Sequence, residues 1–139
     1  AGVVQEILLA THYSLTPAKV AVVGMGFLVG RPIAAWLKGK CAKLTALDLG
    51  DGFGTLQNAD VVILGTGEPG LVKPAMLKSG EVVIDFGYGM KDGKPCGDFD
   101  SSSLTARHPS LLYTPTPGGT GPILVAKLLE NFYLLNENR

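Results

Sequence analysis

A surplus of charge is missing from this 139-residue chain: 12 Lys and Arg stand against 12 Asp and Glu, a formal net charge of zero. That balance excludes a general electrostatic grip on nucleic acid or on an anionic membrane. No apolar run reaches the length of a membrane span. The opening stretch, residues 1–13, has neither the basic head nor the small-residue cleavage site of a signal peptide.

Cysteine is scarce. Cys41 and Cys96 form no CxxC pair and lie far apart in sequence. Two idle thiols in a reducing, cytoplasmic compartment are the expected state, with a disulfide as the alternative. His12 and His108 have no partner at metal or triad spacing. Asp98 and Asp100 resemble the start of a calcium loop, but no glycine or closing glutamate follows in register. No nucleophile elbow occurs either, so neither metal chemistry nor a serine hydrolase is expected. An initiator methionine is also absent. The helical pattern of Val3, Val4, Ile7 and Leu8 starts at once without a capping residue, which is expected of a chain cut from something longer.

What is present is enough apolar residue, 46%, to build a core, in a length that suits one domain over residues 1–139. Residues 2–13 read as an amphipathic helix. After Pro17, the run Lys19-Val20-Ala21-Val22-Val23 is a short, almost wholly apolar strand. A glycine turn leads to a helix over about 29–38, with Ile33, Ala34, Trp36 and Leu37 in its apolar set. Strands are then expected at 44–47, 61–64, 81–85 and 110–113, with a brief helix at 73–78 and a hairpin turn at Asp92-Gly93. A last helix is expected from Pro122 to about Leu135, its apolar face made by Leu124, Val125, Leu128, Leu129 and Phe132. Strands apolar on both faces imply a sheet covered on both sides, and alternation with helices implies parallel pairing. The expected fold is a Rossmann-type α/β domain: a doubly wound, mostly parallel sheet with helices on both faces.

Four segments could carry chemistry. Gly24-Met25-Gly26-Phe27-Leu28-Val29-Gly30 follows the first strand directly. Glycines there let the chain turn tightly and a pyrophosphate approach the backbone, while the next helix offers its amino end. A plain tight turn is the alternative. Asp48 ends the second strand, where a carboxylate accepts hydrogen bonds from both adenosine ribose hydroxyls and repels a 2′-phosphate. That chemistry favours NAD over NADP, with a solvated turn residue as the alternative. Thr66-Gly67-Glu68-Pro69 follows the third strand, where parallel strands open toward a ligand; it too could be a simple turn. Finally, Thr114-Pro115-Thr116-Pro117-Gly118-Gly119-Thr120-Gly121-Pro122 is a constrained loop, whose ordering suggests that it holds something.

These segments carry a family resemblance. Residues 20–34, Ala59-Asp60-Val61-Val62-Ile63, the run from Gly80 to Gly87, and Gly97-Asp98-Phe99-Asp100 resemble blocks of the bifunctional methylenetetrahydrofolate dehydrogenase/methenyltetrahydrofolate cyclohydrolases. Residues 114–122 are similar to that family's TPVPGGVGP signature. The blocks stand in family order and cover nearly the whole chain. The resemblance implies the C-terminal domain, which binds the nicotinamide cofactor and commonly helps to form a homodimer. The candidate cofactor residues are Gly24, Met25, Gly26, Val29, Gly30, Asp48, Thr66, Gly67 and Gly87, and the resemblance carries Pro117, Gly118 and Gly119 over to the folate side.

In the complete family enzyme, hydride passes from methylenetetrahydrofolate to the nicotinamide, and the methenyl product is then hydrolysed. The family's catalytic YxxxK motif belongs to an N-terminal domain, and no tyrosine here has a lysine four residues on. Folate binding is therefore expected only together with that domain, and no catalytic residue is assigned to this chain. Met25-Gly26 replaces the family's Arg-Ser, and Asp48-Leu49-Gly50-Asp51 replaces a basic or serine-containing turn, removing contacts to a 2′-phosphate. The segment from Asp48 to Ala59 is about two residues short, and Leu124 stands where the family tends to have threonine. Two other readings stay open: a degenerate domain that keeps the fold and dimer contact without a cofactor, and the cofactor domain of a shikimate-type dehydrogenase.

Overall fold

The computed structural model describes residues 1–104 and 110–137. His108 lies outside the described residues. Five strands form one parallel sheet: β1 (Lys19–Val23), β2 (Lys43–Leu47), β3 (Val61–Leu64), β4 (Val82–Asp85) and β7 (Leu112–Tyr113), in the order β2-β1-β3-β4-β7. Each crossover is spanned by intervening chain, as parallel pairing requires. β5 (Gly89–Lys91) and β6 (Lys94–Cys96) form a separate antiparallel ribbon. Its turn is Asp92-Gly93, both residues at positive φ, as the sequence indicates.

The strands are apolar on both faces because both faces are covered. On one side Val20, Val22, Val61, Ile63, Val82 and Ile84 pack against helices α1 (Gly2–Ala10) and α2 (Gly30–Leu37). On the other, Ala21, Val23, Val62, Leu64 and Val83 meet Leu56, Val72, Leu77 and Phe99. Each large aliphatic side chain so buried is worth about 1.5–3 kcal/mol, so this double layer dominates the stability of the domain. The second cover is made of short 3-10 turns and extended chain rather than full α-helices. One such turn is Phe53–Asn58. The other, Pro74–Met76, replaces the helix expected at 73–78: proline can open a turn there, but only three residues follow helical geometry.

Other boundaries shift for local reasons. The first helix stops at Ala10 rather than at residue 13. The Thr11 hydroxyl donates to the carbonyls of Ile7 and Leu8, and His12 turns left-handed at φ 54. The last helix, α3 (Thr120–Glu137), is longer than expected. Apart from Ile123, the apolar residues of its first four turns do not reach the core. Leu124, Val125, Leu128 and Leu129 are exposed, and Phe132 is 63% exposed. Ile123 packs against the core edge, and Lys127 bridges to Glu6 of α1 at 2.8 Å and to Glu130 at 2.8 Å. No helix is long and apolar enough to cross a membrane among the described residues. Cys41 and Cys96 are both free.

Candidate functional site

The carboxyl ends of β1, β2, β3 and β4 bring together the segments that the sequence singles out. β1 delivers the glycine turn, and its three glycines have different reasons to be there. Gly24 sits at φ +90, and a Cβ on it would lie 2.6 Å from the Gly65 carbonyl oxygen. A Cβ on Gly30 would collide with the Gly24 carbonyl. Those two glycines let the turn, the start of α2 and the end of β3 pack together. Gly26 differs, because a Cβ there meets nothing within 4 Å. The protein does not need that space for its own packing.

α2 begins without a side-chain cap, its N-cap residue being Val29. The Val29 side chain packs instead onto Gly65, where a Cβ would lie 2.6 Å from Val29 Cγ1. Gly65 is a packing position that the sequence does not flag, since its requirement comes from a partner 36 positions away.

Asp48 follows β2 and lies beside the glycine turn, because β2 and β1 are neighbours. Its Oδ1 accepts the backbone N–H of Leu49 at 3.0 Å and of Met25 at 3.4 Å. The Asp48 N–H donates to Asp51 Oδ2 at 2.7 Å. Two carboxylates thus stand at the edge of the turn; residues 48–54 hold no lysine or arginine, while Arg31 Nε donates to the Met25 carbonyl at 3.0 Å.

Past β3, the Thr66–Gly67 turn is gathered by one buried oxygen. Asp98 Oδ2 accepts the Thr66 amide at 2.6 Å, the Thr66 hydroxyl at 2.8 Å and the Gly67 amide at 3.2 Å. Past β4, Asp85 Oδ1 accepts the Gly87 amide at 2.7 Å, and Asp85 Oδ2 accepts the Phe99 amide at 2.9 Å. Burial pushes the Asp85 carboxyl above the usual aspartate value, and the neighbouring Asp98 adds to this. The Phe99 and Gly87 amides pull the other way. Gly87 is glycine because a Cβ would run into the Asp98 carboxyl. Asp85 and Asp98 were not among the expected site residues. The available signal was an aspartate in each of two otherwise apolar or glycine-bounded runs, Val-Ile-Asp85-Phe and Gly97-Asp98-Phe99.

The threonine-rich loop joins the same ends. The Thr114 hydroxyl accepts the Asp85 amide at 2.8 Å, and the Thr120 hydroxyl donates to the Asp85 carbonyl at 2.9 Å. Thr116–Pro117 is a cis peptide bond, Gly118 has φ +94, and Gly119 packs tightly on Pro115. A cleft of about 380 Å³ is lined by Asp85 together with Lys91, Cys96, Asp100, Tyr113 and Thr116 among others. The glycine turn, Asp48 and Thr66 take no part in it. Asp100, set aside as a calcium ligand, instead pairs with Lys91 at 2.9 Å and accepts from Ser102. Among the described residues no group of three His, Cys, Asp or Glu could hold a metal.

Residues 1–139 match the family model described as tetrahydrofolate dehydrogenase/cyclohydrolase, NAD(P)-binding domain. The bifunctional protein FolD of Bordetella petrii is 39% identical over 131 residues, 92% of this chain and 44% of that protein. The crystal structure of the Campylobacter jejuni bifunctional FolD enzyme superposes with a TM-score of 0.88 at 30% identity, over 99% of this chain and 49% of that one. The Trypanosoma brucei methylenetetrahydrofolate dehydrogenase-cyclohydrolase, complexed with NADP cofactor and inhibitor, gives 0.81 at 28% identity, over 93% and 46%. The chain spans about half the length of the curated relatives it matches.

Proposed function

Because the chain belongs to the tetrahydrofolate dehydrogenase/cyclohydrolase family, as its NAD(P)-binding domain, we propose that it holds a nicotinamide dinucleotide at the carboxyl ends of β1, β2 and β3. The observation that carries this reading is the glycine turn. Gly24 and Gly30 are used up by packing, while Gly26 faces open space beside the amino end of α2. Met25, Val29, Thr66 and Gly67 line the same strand ends, and Gly87, just past β4, completes the proposed cofactor set.

We propose NAD as the preferred cofactor. Asp48 can accept the ribose hydroxyls, and with Asp51 beside it a 2′-phosphate would meet two carboxylates and no cation from that bend. Bound in the complete enzyme, the dinucleotide supplies the hydride acceptor for methylenetetrahydrofolate. This chain's part is to bind and orient: Pro117, Gly118 and Gly119 lie on the loop pinned to Asp85 and form the proposed folate side. The YxxxK motif associated with the family's acid–base work is missing from these residues, so the chain alone is not expected to turn over folate. The exposed apolar residues of α3 support association, and a homodimer is the proposed form.

Calorimetric titration of the chain with NAD and separately with NADP tests this reading. Saturable NAD binding with much weaker NADP binding is expected. Preference for NADP would refute the role given to Asp48. Binding of neither would favour a degenerate domain, a reading that the Met25-Gly26 replacement also supports.

A further inference from the structure

The Thr66–Gly67 turn is held differently from the other turns at this end of the sheet. The glycine turn after β1 is fixed by close packing and backbone contacts, with two side-chain hydrogen bonds at Met25, whose N–H donates to Asp48 and whose carbonyl accepts from Arg31. The Thr66–Gly67 turn instead directs three donors at a single oxygen of Asp98, which is 32 residues from Thr66. Thr66 Oγ1 also accepts the Glu68 amide at 3.1 Å, so the hydrogen bonding continues around the turn.

Asp98 is itself firmly placed. Its carbonyl accepts the Val72 amide at 2.9 Å, and the Gly97 carbonyl accepts that of Gly70 at 2.8 Å. Its neighbour Phe99 donates to Asp85, which in turn accepts from Gly87. The arrangement is costly. Asp98 is 0% exposed, and its Oδ1 has no hydrogen-bond partner among the described residues. A buried carboxyl with one orphaned oxygen destabilises a fold. A surface turn could be closed by its own backbone at no such cost.

We propose that Asp98 is a positioning residue for the dinucleotide: its Oδ2 fixes the Thr66–Gly67 turn in the shape that meets the cofactor, while its bulk against Gly87 fixes the adjoining segment. The role rests on the cofactor reading above. It acts by preorganisation, since a turn ordered before binding need not be ordered by the ligand. Asparagine at this position keeps an acceptor oxygen for the three donors; alanine removes it.

The test uses the whole chain, with the better bound of NAD and NADP as probe, in the wild type, Asp98→Asn and Asp98→Ala. Affinity is measured by calorimetry, and amide hydrogen exchange is followed residue by residue. Asp98→Ala is expected to weaken binding at least tenfold and to speed exchange at Thr66 and Gly67, leaving the β1 and β3 amides protected. Asp98→Asn is expected to restore most of the affinity. If the alanine variant does not fold, Asp98→Ser takes its place, because its hydroxyl is too short to collect three donors. Wild-type affinity in a folded alanine or serine variant overturns the proposal. So does a loss of affinity that comes only with faster exchange throughout the sheet. A wild-type chain that binds neither dinucleotide overturns the cofactor reading itself, and the positioning role with it.

Discussion

Met25 donates its backbone N–H to the carboxylate of Asp48 at 3.4 Å, tying the glycine turn after β1 to the end of β2. The bond is long, and the same oxygen also accepts from Leu49. Asp48 therefore has a second oxygen to offer to a ribose. Replacing Asp48 with alanine is expected to weaken NAD binding by about 10- to 100-fold, the range for losing hydrogen bonds to a charged group. NADP binding should stay level or improve, since a repulsive charge has gone. Parallel titrations check this, and equal losses for both cofactors would count against discrimination by Asp48.

Gly26 and Gly30 should separate folding from binding. Gly30→Ala forces a methyl group into the Gly24 carbonyl and is expected to cost about 3 kcal/mol of stability. Gly26→Ala meets open space and should leave the unfolding midpoint within the range of a neutral surface change, about 0.5 kcal/mol. It should nevertheless weaken dinucleotide binding roughly tenfold by blocking backbone approach. Denaturant melts and titrations of both variants give the answer.

At the opposite end of the sheet, Glu81 is fully buried, and neither of its oxygens accepts a hydrogen bond of normal geometry among the described residues. Burial pushes its carboxyl up to about 7, while Lys78 opposes the shift through its backbone and charge, and Asp60 reinforces it. The folded state therefore binds a proton that the unfolded chain releases near pH 4.5. This contribution to stability is fully present below about pH 4.5 and is lost as pH rises through 7, amounting to roughly 3 kcal/mol. Asp60 has the opposite sign: the Lys19 amide and Lys78 hold its carboxyl below the usual value, so its contribution is lost in acid. The clean readout is the difference between wild type and Glu81→Gln. The wild type should lose stability relative to the variant between pH 4.5 and 7, and a flat difference would contradict the proton assignment.

How far the sequence could be read depended on whether a residue's partner was local. The strands were legible because Val20–Val23, Val61–Leu64 and Val82–Ile84 are apolar on both faces, which only a doubly covered sheet tolerates. The glycine turn was legible because strand, turn and helix are contiguous. Asp98 and Gly65 were not: each is dictated by a side chain or turn that only the tertiary fold brings near. The apolar positions of α3 were read correctly as one helix, yet periodicity reports amphipathicity and says nothing of what covers it. The segment at 73–78 illustrates the remaining gap, since Pro74 starts a helical turn as readily as a helix.

Val29 rests in the space that Gly65 leaves free, and this limits how the site could be rebuilt by exchanging parts. A glycine turn transplanted from another dehydrogenase would bring its own residue at position 29 but find this chain's residue at position 65. The two positions form one heritable unit, although 36 residues separate them. A swap of residues 24–30 alone leaves either a gap or a clash behind the turn. A change of cofactor preference is therefore more accessible through Asp48, outside that unit, than through the turn itself.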